Sequence, residues 1–328
     1  FAGCRLSRVS ISGNFKAIGS GMFSDCDALT ELTLEEGVTT IEDRGVDGCP
    51  VLGAVHLPVS VSIINGNAFC NCPSLQEITV EEGNLKFLSE EGVLYSLDKT
   101  RLICCPAGRE GAFTVPEGVE TIGRQAFENC VGLSGIELPN SLLEIDDGAF
   151  RGCVNLGSLS LGYLLERIGA EAFAGCASLD AAILPNSLQT LEEAAFKDCA
   201  ALESLSLGSG LDAIGHSAFE GCVSLKDVTL NWGAASIDNR AFFGCTALET
   251  VFIPASVESV GESAFEGCTA LSGVSFPASV HSLGSRAFAG CTALTELLLP
   301  GSIDTVGYAA FEGCTALESV KIGRASCR

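Results

Sequence analysis

Apolar residues in this chain recur in fixed columns. The stretch Ala126-Phe127-Glu128-Asn129-Cys130-Val131-Gly132-Leu133 carries the pattern A-F-x-x-C-x-x-L, which returns every 23 residues. Phe127, Phe150, Phe173, Phe196, Phe219, Phe242, Phe265, Phe288 and Phe311 form one column, and the cysteines and leucines that follow each Phe form two more. Consecutive matches at one period predict stacked repeats, in which each coil buries its apolar side against the next.

With Phe as position 1, each unit carries aliphatic residues at positions 10 and 12 and often a proline at 13, as in Thr250-Val251-Phe252-Ile253-Pro254. Alternation ended by Pro predicts a short half-buried strand, paired in parallel with its equivalents in adjacent coils. In Ser256-Val257-Glu258-Ser259-Val260-Gly261 two further apolar residues point inward, and the Gly permits a turn. What remains, such as Glu262-Ser263-Ala264-Phe265, is too short for a helix. A turn, a 3-10 segment or a second short strand is expected there, on the convex side. The expected fold is a β-rich, right-handed leucine-rich-repeat solenoid of about 14 coils with a parallel concave sheet.

The period breaks once, between Cys72 and Cys130. Residues 84–116 read as an atypical repeat, in which two apolar strands around Asp98-Lys99-Thr100 form a projecting hairpin. Phe1-Ala2-Gly3-Cys4 already matches the F-x-G-C segment, so the chain is expected to start in mid-repeat, without a leader or a cap. Residues 1–321 are expected to be one solenoid. The last seven, 322–328, match the translation of a common sequencing adapter and are expected to be a non-native tail on a fragment. Ends cut through a coil expose strand edges, which predicts self-association through uncapped ends.

The repeats resemble the BspA-type leucine-rich repeat family. The carriers are Ala264-Phe265-Glu266-Gly267-Cys268-Thr269-Ala270-Leu271 and Pro254-Ala255-Ser256-Val257-Glu258-Ser259-Val260-Gly261, with Gly92-Val93-Leu94-Tyr95 and Cys105-Pro106 as an insert common in that family. The resemblance implies a surface protein of bacteria or protists. It also implies an extracellular or cell-surface location and a role in adhesion to host extracellular or cell-surface proteins.

Composition narrows the chemistry. A net charge of −23 repels phosphate backbones, so nucleic acid is not an expected partner, and no apolar run is long enough to insert in a membrane. No Asn-x-Ser/Thr sequon occurs, which tilts the source toward a prokaryote. The 17 cysteines mostly fill one column. Parallel in-register side chains keep their Cβ atoms about as far apart as the strands, roughly 4.8 Å, which is wide for a disulfide. They read as reduced thiols packed as small hydrophobes. Off the column, Cys70 occupies a variable position and is expected to be partly exposed. Cys104 and Cys105 alternate faces, so at most one is expected to be buried; whether these three form disulfides stays open.

No cofactor or metal site is expected, because neither Cys70-Asn71-Cys72 nor Cys104-Cys105 has zinc-ligand spacing. His56, His216 and His281 fall in different columns with no adjacent serine nucleophile, so no enzyme activity is expected. The feature that points to function is the outward strip of the concave strands. Positions 9 and 11 are mostly small and neutral, with Ile183, Phe252 and Leu298 as apolar exceptions. Tyr163 and Trp232 stand at the rim. These five are the candidate partner-binding residues of a protein-binding or adhesion module. The alternatives are a structural spacer in a larger surface protein, or the repeat region of an enzyme.

Overall fold

The computed structural model describes residues 1–230 and 232–323. No helix occurs among them; the chain consists of short strands joined by turns, about 14 coils in all. Contacts divide it into two compact units, Phe1–Leu156 and Gly157–Arg328, each a parallel β-solenoid.

In the first unit Arg8–Ile11, Glu31–Leu34, Ala54–Leu57 and Glu77–Val80 form a four-stranded parallel sheet, and the two-residue strands Ala17–Ile18, Thr40–Ile41 and Ile63–Ile64 form a second. Register pairs like with like, Val9 with Leu32 and Val55 with Ile78. In the second unit the two-residue strands from Ala213–Ile214 to Thr305–Val306 make an unbroken five-stranded sheet. The stretch after Gly261, residues 262–265, is a turn; the second short strand, Ser259–Val260, precedes it.

Two interactions repeat along the second unit. The Phe rings of the second unit stack face to face, with centroids 4.9–5.6 Å apart and planes within 15°. Beside them, each column thiol donates to the carbonyl of the Phe residue in the preceding coil: Cys222 to Phe196 at 3.2 Å, Cys245 to Phe219 at 3.2 Å, Cys268 to Phe242 at 3.2 Å. A purely apolar side chain would leave that buried carbonyl without this donor. The cysteines therefore do more than fill space. Because the acceptor is backbone, Val46 can replace Phe and still receive the Cys72 thiol at 3.1 Å.

The repeat glycines serve two different needs. Gly267, before the column Cys, has φ +78, where a side chain is strained. Gly284, after the second short strand, is needed for closeness: a Cβ there would lie 2.4 Å from the backbone nitrogen of Glu262. The left-handed residue of that turn falls two places later, on Arg286 at φ 56.

The atypical unit contains three antiparallel strands, Phe87–Glu90, Val93–Ser96 and Arg101–Cys104. Val93, Leu94, Tyr95 and Leu102 are buried, so the insert packs into the core along most of its length. Arg101–Cys104 also pairs in parallel with Thr121–Ile122, taking the place of a second short strand. Glu91-Gly92 forms the tight turn, both with positive φ, and the Gly92 carbonyl accepts the Ile78 N–H at 2.9 Å. Buried Asn84 ties the insert to the coil beneath. Its Nδ2 donates to the carbonyls of Pro58, Val59 and Val61, and its Oδ1 accepts from the N–H groups of Lys86 and Phe87. At the other end of the chain, Ile322 closes the strand Ser319–Ile322 opposite Leu299, and residues 324–328 of the expected tail lie outside the described residues.

Ion pairs run along the turns of the second unit. Glu220 accepts from Arg240 at 2.9 Å and pairs with Lys197 at 3.2 Å, and Arg286 bridges Glu266 and Glu312. Hydrogen bonds from Arg240 first, then Ser217 and Lys197, outweigh burial and hold the Glu220 carboxyl at about 2, below its ordinary 4.5. A depressed carboxyl stabilises the fold above its unfolded value, and this is lost as pH falls through the folded value. The thermal midpoint should therefore drop between about pH 4.5 and pH 2. Glu220→Gln should lower the midpoint at pH 7 and show a shallower fall on acidification; equal slopes for both proteins would exclude Glu220 as a source of acid sensitivity.

Candidate binding surface

The five candidate residues all lie in the second unit, and all are exposed. Ile183 on Ala181–Ile183 is 75% exposed, Phe252 on Thr250–Phe252 63% and Leu298 on Glu296–Leu299 54%; Tyr163 is 66% and Trp232 69%. Inward neighbours on the same strands are buried, such as Val251 and Leu297. Alternation along a strand thus fixes which face each candidate takes.

The structure does not merge the five into one patch. Along position 11, Ser206 and Thr229 separate Ile183 from Phe252, and Ser275 separates Phe252 from Leu298. Tyr163 belongs to the coil before Ile183, and Trp232 to the coil before Phe252. The second aromatic–aliphatic or aromatic–aromatic set therefore repeats the first three coils on, on the order of 14 Å away at about 4.8 Å per coil. Between them the strip carries Ser204, Ser206, Asp227 and Thr229.

Each outward apolar residue also marks a break in the strand ladder. The longer strands of this unit pair as Ala181–Ile183 with Ser204–Ser206 and Asp227–Thr229, then Thr250–Phe252 with Gly273–Ser275, then Glu296–Leu299 with Ser319–Ile322. Ile183, Phe252 and Leu298 sit on the first strand after each interruption. The carbonyls of Ser206, Thr229 and Ser275 accept an N–H from the preceding coil at 2.9, 3.1 and 3.2 Å. Among the described residues, those of Ile183, Phe252 and Leu298 receive no such bond. The coil before each break departs from the common sequence. Tyr163 and Trp232 stand where the others carry small or polar residues, and Phe276 replaces an aliphatic residue and meets Phe288 edge-on at 5.6 Å.

Histidine 56 has more company than its sequence position suggests. Its Nδ1 lies 2.9 Å from Thr79 Oγ1 and its Nε2 2.7 Å from Glu81 Oε2. Hydroxyl, imidazole and carboxylate in that order resemble an acyl-transfer triad. Here the His56 and Glu81 side chains are 54% and 56% exposed on the strand face, where water competes for each bond. The register of adjacent strands brings these columns together, a pairing that separate sequence columns do not reveal.

The off-column cysteines correct two expectations. Cys70 is buried rather than partly exposed, and Cys104 and Cys105 are both buried. Cys104 ends a strand covered by the core, and Cys105 begins the turn beneath the next coil, where its N–H donates to the Ala126 carbonyl at 2.8 Å. All described cysteines are free thiols. Among the described residues no group of three or more His, Cys, Asp or Glu could hold a metal ion, and no helix is long and apolar enough to cross a membrane. The structure adds exposed apolar residues that the columns did not single out. Leu85 and Leu97 line one surface depression at the atypical unit, and Ile63 and Tyr308 are exposed as well. Leu85 and Leu97 fall where the period is lost, so no column assigns them a face.

The coil defines a leucine-rich-repeat β-solenoid. The model of the BspA type leucine rich repeat region matches in six copies over residues 1–96, 111–226 and 212–326, and the chain belongs to that family. Among solved structures, a leucine-rich repeat protein from Bacteroides ovatus is 30% identical, with 98% of this chain and 80% of that one covered and a TM-score of 0.71. The pneumococcal vaccine antigen PcpA, at 23% identity, aligns over 92% of this chain and 68% of its own with a TM-score of 0.64. A leucine-rich repeat protein from Eubacterium ventriosum, at 22%, aligns over 87% and 83% with a TM-score of 0.59. These last two share the fold. No curated protein matches the chain.

Burial pushes the thiols of Cys222 and Cys268 up to about 12, and burial followed by the Glu128 charge pushes Cys70 well above the ordinary range. Since the thiolate is the reacting form, the folded chain should react with Ellman's reagent at pH 8 slowly and at few sites, and fully once denatured. Rapid reaction of most thiols in the folded chain would contradict the buried column.

Proposed function

We propose that this chain is a non-enzymatic protein-binding module of adhesion type, displayed at the cell surface, and that the longer-strand face of residues 157–323 is its contact surface. The observation that carries this reading is the set Ile183, Phe252 and Leu298, each more than half exposed on a strip otherwise made of small and polar residues. Exposed Trp and Tyr beside such a strip are the side chains most often found at the centres of protein interfaces. The net charge of −23 favours a partner with a basic contact patch. A vaccine antigen among proteins of the same fold fits display of such repeats on a cell exterior. The partner class is an extracellular or cell-surface protein of a host.

The test is surface plasmon resonance of the purified chain over immobilised extracellular-matrix and epithelial surface proteins. The double variant Trp232→Ala/Phe252→Ala should bind at least about tenfold more weakly, since interface anchors each cost about 2 kcal/mol or more on truncation. Both side chains are exposed, so the melting temperature should hold. Full binding by the double variant would remove this face from the interaction. Absence of binding to every surface would favour a structural spacer instead.

A further inference from the structure

The atypical unit leaves a cleft that the repeat pattern does not account for. Each coil's second short strand normally lies against the next. After Ile63–Ile64 the insert intervenes, and the sheet of Ala17–Ile18, Thr40–Ile41 and Ile63–Ile64 ends there. The strand that resumes the column, Arg101–Cys104, is engaged on both sides, by Thr121–Ile122 and by Val93–Ser96. Lined by residues of both strands, Ile64 on one and Arg101 and Ile103 on the other, lies a cavity of about 340 Å³, within the roughly 300–1,000 Å³ range of small-ligand sites.

Three kinds of group converge on it. The first is an open strand edge. Ile63 donates to the Thr39 carbonyl at 3.1 Å and Asn65 to the Ile41 carbonyl at 3.0 Å, so both face their own sheet. Along a strand the backbone groups alternate in direction, and those of Ile64 face the cleft. Neither the N–H nor the carbonyl of Ile64 has a hydrogen-bond partner among the described residues. The second is an uncommitted cation. Arg101 is paired with Asp146, whereas exposed Arg124 has no acidic partner among the described residues. Its backbone rests on Gly66: a Cβ there would lie 2.5 Å from the Arg124 carbonyl oxygen and 3.2 Å from the Arg124 Cβ. That contact sets the arginine stem beside the Ile64 edge. The third is an apolar lining, to which Phe87 and Ile103 contribute.

We infer that this cleft binds the carboxyl-terminal residues of an extended peptide with an apolar last side chain. The Ile64 edge takes the peptide main chain as an added strand, Arg124 takes the terminal carboxylate in a two-pronged hydrogen bond, and the apolar lining takes the side chain. An extended peptide presents all three groups at once. A free inorganic anion satisfies only Arg124, and an apolar molecule without charge satisfies only the lining. The free edge is two residues long, so recognition is confined to the last two or three residues of the ligand. This site lies in residues 1–156 and is independent of the strand face proposed above.

The experiment is fluorescence anisotropy of the full chain with the N-terminally labelled peptide Gly-Gly-Ser-Val-Leu, as the free acid and as the C-terminal amide. We expect saturable binding of the acid and at least about tenfold weaker binding of the amide. Arg124→Ala should lose about tenfold or more, and Arg124→Lys should fall between, because an ammonium keeps the charge without the fork. A peptide ending in Asp in place of Leu should bind more weakly than the Leu peptide. Arg124 is exposed, so the melting temperatures of the variants should match the wild type and separate recognition from folding. Equal binding of acid and amide, wild-type binding by Arg124→Ala, or no binding at about 1 mM peptide would each overturn the assignment. So would displacement by acetate at the concentrations at which the peptide itself competes, which would reduce the cleft to a bare anion site.

Discussion

Through the second unit each coil buries its Phe against the identical ring of the next coil. Parallel pairing in register forces that identity: residues one period apart become neighbours, so a side chain that suits one level must suit the levels above and below. Flat rings stack, and the thiol beside each ring supplies a donor to a carbonyl that the turn leaves without a strand partner. The residue before each column Cys takes positive φ, and the glycine after the second short strand is crowded by the backbone beneath. These requirements leave little freedom at about half the positions of the repeat. The remaining positions vary more widely along the chain.

The freedom is greatest on the outward face of the longer strands and at the one interruption of the period. On the outward face, bulky apolar residues coincide with breaks in the hydrogen-bond ladder, while the shorter strands stay paired across each of those three breaks. The core columns continue through these breaks as well: Phe219, Phe242, Phe265 and Phe288 stay stacked. The molecule thus tolerates local loss of strand pairing on one side because the rings and thiols hold the coils together on the other. At the interruption, Asn84 makes five hydrogen bonds to backbone on its own. A single side chain there does what a row of strand bonds does elsewhere.

Most of the architecture was legible from the columns, because a strict period converts position in the sequence into position in space. Coil, strand alternation, the absence of helix and the outward placement of Ile183, Phe252 and Leu298 all follow from counting. What escaped was whatever depends on neighbours that the period does not align. The column cysteines looked like filler because the partner of each thiol is a backbone carbonyl, invisible to side-chain patterning. Cys70 reads as partly exposed, and at most one of Cys104 and Cys105 as buried, because no column assigns them a face; all three are buried. The contact of His56 with Thr79 and Glu81 spans adjacent coils. The insert itself read as a projecting hairpin from its turn residues alone, and its third strand, its burial and the cleft beside Ile64 arise from how it fits the gap in the stack.

The chain carries two populations of phenylalanine, one that holds coils together and one that faces outward. Urea unfolding of Phe219→Ala and Phe252→Ala compares them directly, since the chemical change is the same and the strands lie in the same unit. Loss of the stacked, fully buried Phe219 should cost about 3–5 kcal/mol, and loss of the outward Phe252 should stay within about 0.5 kcal/mol of the wild type. Similar destabilisation by both substitutions would contradict the division between the ring column and the open face.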